Sequence, residues 1–198
     1  AVGYETLDAN TTGTQNTAVG ASALDANTTG SKNSAFGADS MTNNTTGTNN
    51  SGFGRDTLFH NSTGSSNTAV GTDALQANTT ADHNTAVGHD CMDANTTGTY
   101  NTAVGSSAMT SNSTGSRNTA VGNYALYTST TASENVAVGR DCMFYNTTGH
   151  SNTAVGESAL ENNTTASNNT VVGYNAMKIN TTGTQNVAVG AYALDANT

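Results

Sequence analysis

The feature that most constrains this chain is a 17-residue repeat that runs through it without interruption. The motif NTAVG, or a close variant, recurs with its first asparagine 17 residues further on each time. These asparagines are Asn16, Asn33, Asn50, Asn67, Asn84, Asn101, Asn118, Asn135, Asn152, Asn169 and Asn186. A fixed step over nearly twelve copies, with no insertion or deletion, predicts one structural unit per copy, stacked on the next.

Residue types sort by their place in the repeat, whose consensus is NTAVGxxALxxNTTGxx. Positions are numbered here from Asn16 (position 1) to Lys32 (position 17). Position 5 is always Gly, position 4 is always Val or Phe, and position 9 is always Leu or Met. Every charged residue falls at positions 6, 7, 10, 16 or 17, so we expect these positions at outward bends. The apolar positions should form continuous ladders, represented by Val19, Val70, Leu24 and Leu75.

The repeat favours strands over helices, because Gly, Asn and Thr dominate it and 17 residues are few for two packed helices. In NTAVG, Ala18 and Gly20 point to the opposite side from Val19, and a second short strand is expected to begin at Ala23 and Leu24. The sequence thus predicts an all-β fold. Its architecture is a parallel β-solenoid (β-roll) of nearly twelve 17-residue coils, each coil being one copy of the repeat.

The strand pattern leaves open which side faces the interior. If the small residues Ala18 and Gly20 face in, a stripe of twelve Val or Phe side chains lies outside and needs a partner surface, most simply three chains around an axis. If Val19 faces in with Leu24, the coil has its own modest core and the uncapped ends become adhesive. Both arrangements predict self-association, as a lateral trimer or as an end-to-end filament.

Polar ladders should accompany the apolar ones, since identical side chains stack along a solenoid. Asn16 at position 1 and Asn27 at position 12 represent two asparagine ladders whose amides can hydrogen-bond to neighbouring coils. Thr29 represents position 14, which is never replaced, and its hydroxyl is expected to close the NTTG turn on its own backbone.

NTAVGxxALxxNTTG arrays resemble the repeats of phage and bacterial tail-fibre-like proteins along the whole chain. The NTAVG strand is also similar to the SVAIG-type strand in the heads of trimeric autotransporter adhesins. That resemblance implies a left-handed, trimeric β-roll with a structural or adhesive role as a fibre shaft. It also implies an extracellular, cell-surface or virion location, and a cell-surface receptor or glycan as a partner.

Enzymatic catalysis, nucleic-acid binding and membrane insertion are not expected. A catalytic site needs a non-repeating constellation of groups, and the four histidines occupy four different repeat positions. A net charge of −9 with five Lys plus Arg gives no cationic surface for nucleic acid or anionic lipid. The sequence contains no apolar run long enough to span a bilayer. No cofactor is predicted.

The two cysteines are expected to be buried and unpaired. Cys91 and Cys142 both replace the small residue of position 8, three coils and roughly 14 Å apart, so we expect buried, reduced thiols and no disulfide.

Four Asp carboxylates follow one another at position 7 in consecutive coils and should repel one another. A bound Ca²⁺ ion would relieve this repulsion, and the alternative is an exposed acidic stripe that is screened by salt. These residues are Asp39, Asp56, Asp73 and Asp90.

Position 12 suggests an alternative function, because ten copies carry an N-glycosylation sequon there. The asparagines are Asn10, Asn27, Asn44, Asn61, Asn78, Asn95, Asn112, Asn146, Asn163 and Asn180. A glycosylated extracellular filament is therefore one alternative. An ice-binding protein is another, provided that the NTTG threonines form a flat, exposed array rather than a bent corner.

The whole chain, residues 1–198, is expected to form one solenoid domain. It starts at position 3 and ends at position 13 of the repeat, with no atypical coil at either end. Solenoids normally carry capping coils, so we expect an internal segment of a longer fibre, or a subunit whose ends are covered by neighbours.

Overall fold

The computed structural model describes residues 1–196 as a stack of short parallel strands, one in each successive coil. The last two residues of the predicted repeat domain, 197–198, lie outside this range. The strands are β1 (Thr17–Val19), β2 (Ser34–Phe36), β3 (Ser51–Phe53), β4 (Thr68–Val70), β5 (Thr85–Val87), β6 (Thr102–Val104), β7 (Thr119–Val121), β8 (Val136–Val138), β9 (Thr153–Val155), β10 (Thr170–Val172) and β11 (Val187–Val189).

All eleven strands form one parallel sheet in chain order. Each strand pairs with the next at an offset of 17 residues, so that Val19 faces Phe36, Phe36 faces Phe53, and Phe53 faces Val70. The predicted parallel β-solenoid and its 17-residue coil are thereby confirmed. Because the register never slips, each position of the repeat becomes a straight column of side chains along the rod.

The small residues of the strand face the interior, which decides between the two alternatives left by the sequence. Ala18 is 1% exposed, whereas Val19 beside it is 38% exposed. The same inward alanine and outward neighbours recur along the sheet, with Gly52 and Val171 in place of two of the alanines. The coil closes tightly around methyl groups, and the Val and Phe column lies on the surface.

The interior is filled by the column of position 9 and by the small side chains of positions 3 and 8. Leu24 and Met41 have no exposed surface, and the same holds for position 9 of every coil from Leu24 to Met177. Every charged side chain between residues 1 and 196 is at least partly exposed, as the sequence predicted. The interior of the rod is therefore narrow and uncharged.

The second short strand predicted at Ala23 and Leu24 is wrong. That segment consists of tight turns, in which the Ala23 amide donates to the Gly20 carbonyl at 3.4 Å and the Asn27 amide donates to the Leu24 carbonyl at 3.2 Å. Ser22 and Leu24 both have φ of 54°, in the left-handed region. A positive φ at Ser22, the third residue of its turn, is the mark of a type II turn. Both Ala23 and Leu24 can then face the interior, which two consecutive strand residues could not do.

Position 5 requires glycine for two reasons, which Gly88 illustrates. Its φ is 143°, a conformation that side-chain-bearing residues avoid. A Cβ atom there would also lie 2.4 Å from the carbonyl oxygen of Gly105 in the next coil. Close stacking of coils at this corner therefore depends on the missing side chain.

Candidate functional site

Two buried asparagine ladders run the length of the rod, as the sequence predicted. At position 12, the Nδ2 of an asparagine donates to the Oδ1 of the asparagine in the preceding coil, as Asn44 does to Asn27 at 2.8 Å. The same Nδ2 also donates to the carbonyl of position 15 in its own coil, as Asn44 does to Gly47 at 3.1 Å. At position 1, Asn16 Oδ1 accepts the Asn33 amide at 2.9 Å. The ladders tie consecutive coils together through atoms that water does not reach.

Burial of position 12 removes the basis for the glycosylation alternative in the folded rod. Nine of the ten sequon asparagines have no exposed surface, so their amides are not accessible to a transferase. They are Asn27, Asn44, Asn61, Asn78, Asn95, Asn112, Asn146, Asn163 and Asn180. The tenth, Asn10, is half-buried, and its Nδ2 donates to the Gly13 carbonyl at 3.1 Å. In the folded rod, each sequon joins a structural asparagine of the ladder to the turn residues that follow it.

One coil interrupts the position 12 ladder. Ser129 replaces asparagine there, and its side chain is too short to reach the neighbouring coils. As a result, Asn112 Oδ1 and Ser129 Oγ are buried without a hydrogen-bond partner. A buried acceptor left in this state costs about 1–3 kcal/mol. The rod therefore has a local weak point near its middle.

The Thr29 hydroxyl does not close the NTTG turn as predicted, and the hydroxyl of its neighbour Thr28 bonds to the next coil instead. Thr28 at position 13 donates its hydroxyl to the Thr45 carbonyl of the next coil at 3.1 Å. Thr29 is exposed, and its hydroxyl makes no hydrogen bond within residues 1–196. The NTTG segment is a bend around the buried Asn27, not a flat array. The bent corner removes the ice-binding alternative in the form in which the sequence suggested it.

The predicted cation stripe is partly neutralised by basic side chains. Arg55 lies 3.3 Å from Asp56 and 3.8 Å from Asp73, and His89 Nδ1 lies 2.9 Å from Asp90. Desolvation raises the pKa of Asp56, although Arg55 opposes the shift. Asp39, the fourth member, carries no ion pair in the part of the chain that is described.

Three of these groups come close enough to share a metal ion. Ligand atoms of Asp73, His89 and Asp90 lie within 4.8 Å of one another. Asp73 is also held by Arg55 and accepts a hydrogen bond from Gln76 Nε2 at 3.0 Å, so an ion would have to compete with both. The solvent-exposed group fits a screened acidic surface as well as a weak cation site.

Both cysteines are free and buried, as the sequence predicted. The Cys91 thiol donates to the Ala103 carbonyl at 3.4 Å, and Cys142 makes the same contact to Ala154 at 3.3 Å. Desolvation raises the pKa of each thiol to about 12. Neither thiol is suited to nucleophilic or redox chemistry, because the reactive thiolate form is suppressed.

The outer side of the sheet forms a continuous surface, here called the strand face, made of positions 2 and 4 of β1 to β11. Position 4 presents only Val or Phe, with exposures between 37% and 42% in most coils. Phe36 and Phe53 stack on this face with ring centroids 5.1 Å apart. No charged residue occurs at either position. The strand face therefore presents an uncharged, partly apolar surface along all eleven strands.

An aromatic patch lies outside the strand face in two adjacent coils, and the repeat analysis missed it because it occupies variable positions. It consists of Tyr124, Tyr127, Phe144 and Tyr145. Tyr127 stacks on Phe144 at 4.9 Å between ring centroids, and Phe144 meets Tyr145 edge-on at 4.6 Å. Large aromatic residues at positions 10 and 11 of consecutive copies were the signal in the sequence.

A shallow groove borders this patch and is here called the Tyr145 groove. Its volume is about 540 Å³, within the range of roughly 300–1,000 Å³ that small-ligand sites occupy. Its lining is almost entirely carbon and includes Thr128, Tyr145, Thr147, Asn162, Thr164 and Ile179.

Comparison with known proteins gives no relative. No protein-family model matches the chain, and neither the curated proteins nor the solved structures contain a significant match. Residues 1–196 also include no helix long and apolar enough to cross a membrane.

Proposed function

We propose that this chain is a non-catalytic structural rod that associates laterally with copies of itself to build a fibre shaft. The observation that carries the proposal is the strand face: an uncharged column of half-exposed Val and Phe side chains on an eleven-stranded sheet. Such a column is costly in water unless it is covered. The tail-fibre and adhesin resemblance of the repeat points in the same direction, towards a left-handed trimer in an extracellular, cell-surface or virion fibre.

Periodicity supports another copy of the chain as the partner. The strand face repeats at the coil rise of about 4.8 Å, so its ridges and grooves match only a surface with the same period. A second copy of the chain necessarily has this period. Three chains around an axis form the simplest closed assembly in which each covers its neighbours.

The size of the face sets the expected strength of association. Eleven strands at about 4.8 Å and three residues at about 3.3 Å give a face of roughly 500 Å². A face-to-face pair would bury about 1,000 Å² in total, near the lower limit for a specific interface. Association of this chain should therefore depend on concentration in the micromolar range.

The test exchanges shape-matched residues on the strand face. Val104→Thr, Val121→Thr and Val155→Thr keep the β-branched shape, but each adds a hydroxyl to the apolar column. The matched control is the reverse change at position 2, Thr102→Val with Thr119→Val, since Val136 and Val187 occupy that position naturally.

Sedimentation velocity over a concentration series should show assembly for the parent chain and for the control, and a shift towards monomer for the triple variant. Electron microscopy should show thin, straight particles. A parent chain that remains a folded monomer at micromolar concentration would remove the proposal. Equal association of the triple variant would remove the strand face as the interface.

A further inference from the structure

The Tyr145 groove combines a carbon-lined floor with a few polar groups at its rim. Thr128 and Thr147 donate their hydroxyls to the Phe144 and Thr164 carbonyls, at 2.8 Å and 3.0 Å. Both hydroxyl protons are thus used in hydrogen bonds to the backbone. The Asn162 backbone amide donates to the Lys178 carbonyl at 3.0 Å, but Tyr145 Oη and the Asn162 side-chain amide make no hydrogen bond within the described chain and remain available to a ligand.

The groove carries no charge. None of its lining residues is ionised, although the chain as a whole has a net charge of −9. Glu161 and Lys178, at the adjacent position 10 of two of these coils, form an ion pair with each other at 3.1 Å. Electrostatics therefore favours a neutral ligand over an anion or a cation.

The groove runs along the rod axis. Thr128, Tyr145, Asn162 and Ile179 occupy position 11 of four consecutive coils, so the lining repeats at about 4.8 Å. A pyranose ring in a linear chain is about as long as this rise, whereas an extended peptide advances only about 3.3 Å per residue. A sugar chain can therefore keep register with the coils, but an extended peptide cannot.

We propose that the Tyr145 groove binds a neutral linear oligosaccharide lying parallel to the rod. The C–H faces of the sugar rings would contact the Tyr145 ring and the Ile179 side chain, which are 46% and 50% exposed. The sugar hydroxyls would bond to Tyr145 Oη and the Asn162 side-chain amide. The groove contains no strand residue, so it remains open when the strand face is covered.

The experiment uses N-acetylchitotriose, cellotriose and maltotriose as neutral probes and sialyllactose as a charged one. Ligand-observed saturation-transfer NMR detects binding to the whole chain, and calorimetry gives the affinity. We expect at least one neutral probe to bind and Tyr145→Ala to weaken it at least tenfold. Tyr100→Ala is the matched control, because Tyr100 is 58% exposed at position 17, stacks only on His83, and does not line the groove.

Absence of saturation transfer with all three neutral probes at millimolar concentration would overturn the proposal. So would unchanged affinity in Tyr145→Ala, or a preference for sialyllactose. Circular dichroism checks that the variants fold, which is expected because both tyrosines are exposed. The outcome is separate from that of the fibre proposal, since sugar binding is measured on the chain whether or not it associates.

Discussion

Filling the gap in the position 12 ladder should stabilise the rod. In Ser129→Asn, the new Nδ2 can donate to Asn112 Oδ1 and to the Ala132 carbonyl, and the new Oδ1 can accept from Asn146 Nδ2. The equivalent bonds elsewhere are 2.7–3.2 Å long. Ala132 does not obstruct the change, because Asn78 donates to Ala81 in a coil with the same alanine.

The expected magnitude follows from these three bonds. Each contributes about 1 kcal/mol net, and the first also satisfies the buried Asn112 acceptor. Ordering the longer side chain costs up to about 1 kcal/mol. The net gain in the free energy of unfolding should be about 2 kcal/mol, which corresponds to a rise in melting temperature of about 4–8 °C.

Thermal and urea unfolding, followed by circular dichroism, measure the effect against two reference variants. Ser129→Ala removes the unpaired hydroxyl without restoring the ladder, so it should change stability little. Asn61→Ser makes a new gap in a regular part of the ladder by removing its bonds to Asn44, Gly64 and Asn78, and should destabilise by about 2–4 kcal/mol. If Ser129→Asn melts no higher than Ser129→Ala, the ladder bonds do not stabilise the fold as argued.

Three further changes probe the interior of the coil, each measured by unfolding. Leu75→Asp should cost about 3 kcal/mol or more, because it places a charge where no surface is exposed; a melt equal to that of the parent chain would contradict the assignment of the interior. Gly88→Ala should be far more damaging than Gly98→Ala: a Cβ would lie close to a backbone oxygen at both sites, at 2.4 Å and 2.2 Å, but only Gly88 has a positive φ, of 143°, and position 15 carries Ala in three natural coils. Replacing Cys91 and Cys142 by Ala should be nearly neutral at pH 7. Above about pH 9 the unfolded thiols ionise while the folded ones, with pKa about 12, do not, so the parent chain should lose stability towards pH 12 more steeply than the double variant.

The stacking register and the outward positions were predictable because each follows from the repeat itself. An unbroken 17-residue step permits only one pairing of successive coils, and charged residues restricted to five positions mark the outside. The asparagine ladders follow from the same step. The register, the outward positions and the ladders can all be derived without knowing the backbone conformation between the strands.

The turn geometry was not predictable, because it opposes local preference. Leucine and methionine at position 9 have φ near +54°, a conformation that costs an ordinary residue about 1–2 kcal/mol. Local propensity therefore argues against the observed backbone at Leu24. Burial of the side chain, together with the hydrogen bond from the Leu24 amide to the Ser40 carbonyl of the next coil at 3.1 Å, offsets this strain. Because these contacts arise only when coils stack, the isolated repeat sequence contains no sign of them.

The two outward columns of the strand face differ in a way that β-propensity does not explain. Valine and threonine both suit the outer side of a strand, so propensity alone would let them interchange between positions 2 and 4. Position 2 does accept Thr, Ser and Val, but position 4 contains only Val or Phe in all twelve copies. Tight packing inside the coil cannot impose this restriction either, because position 4 points outward. The restriction of this outward column to Val and Phe is best explained by an apolar contact with another molecule. The composition of position 4 therefore favours the assembled fibre over an isolated rod.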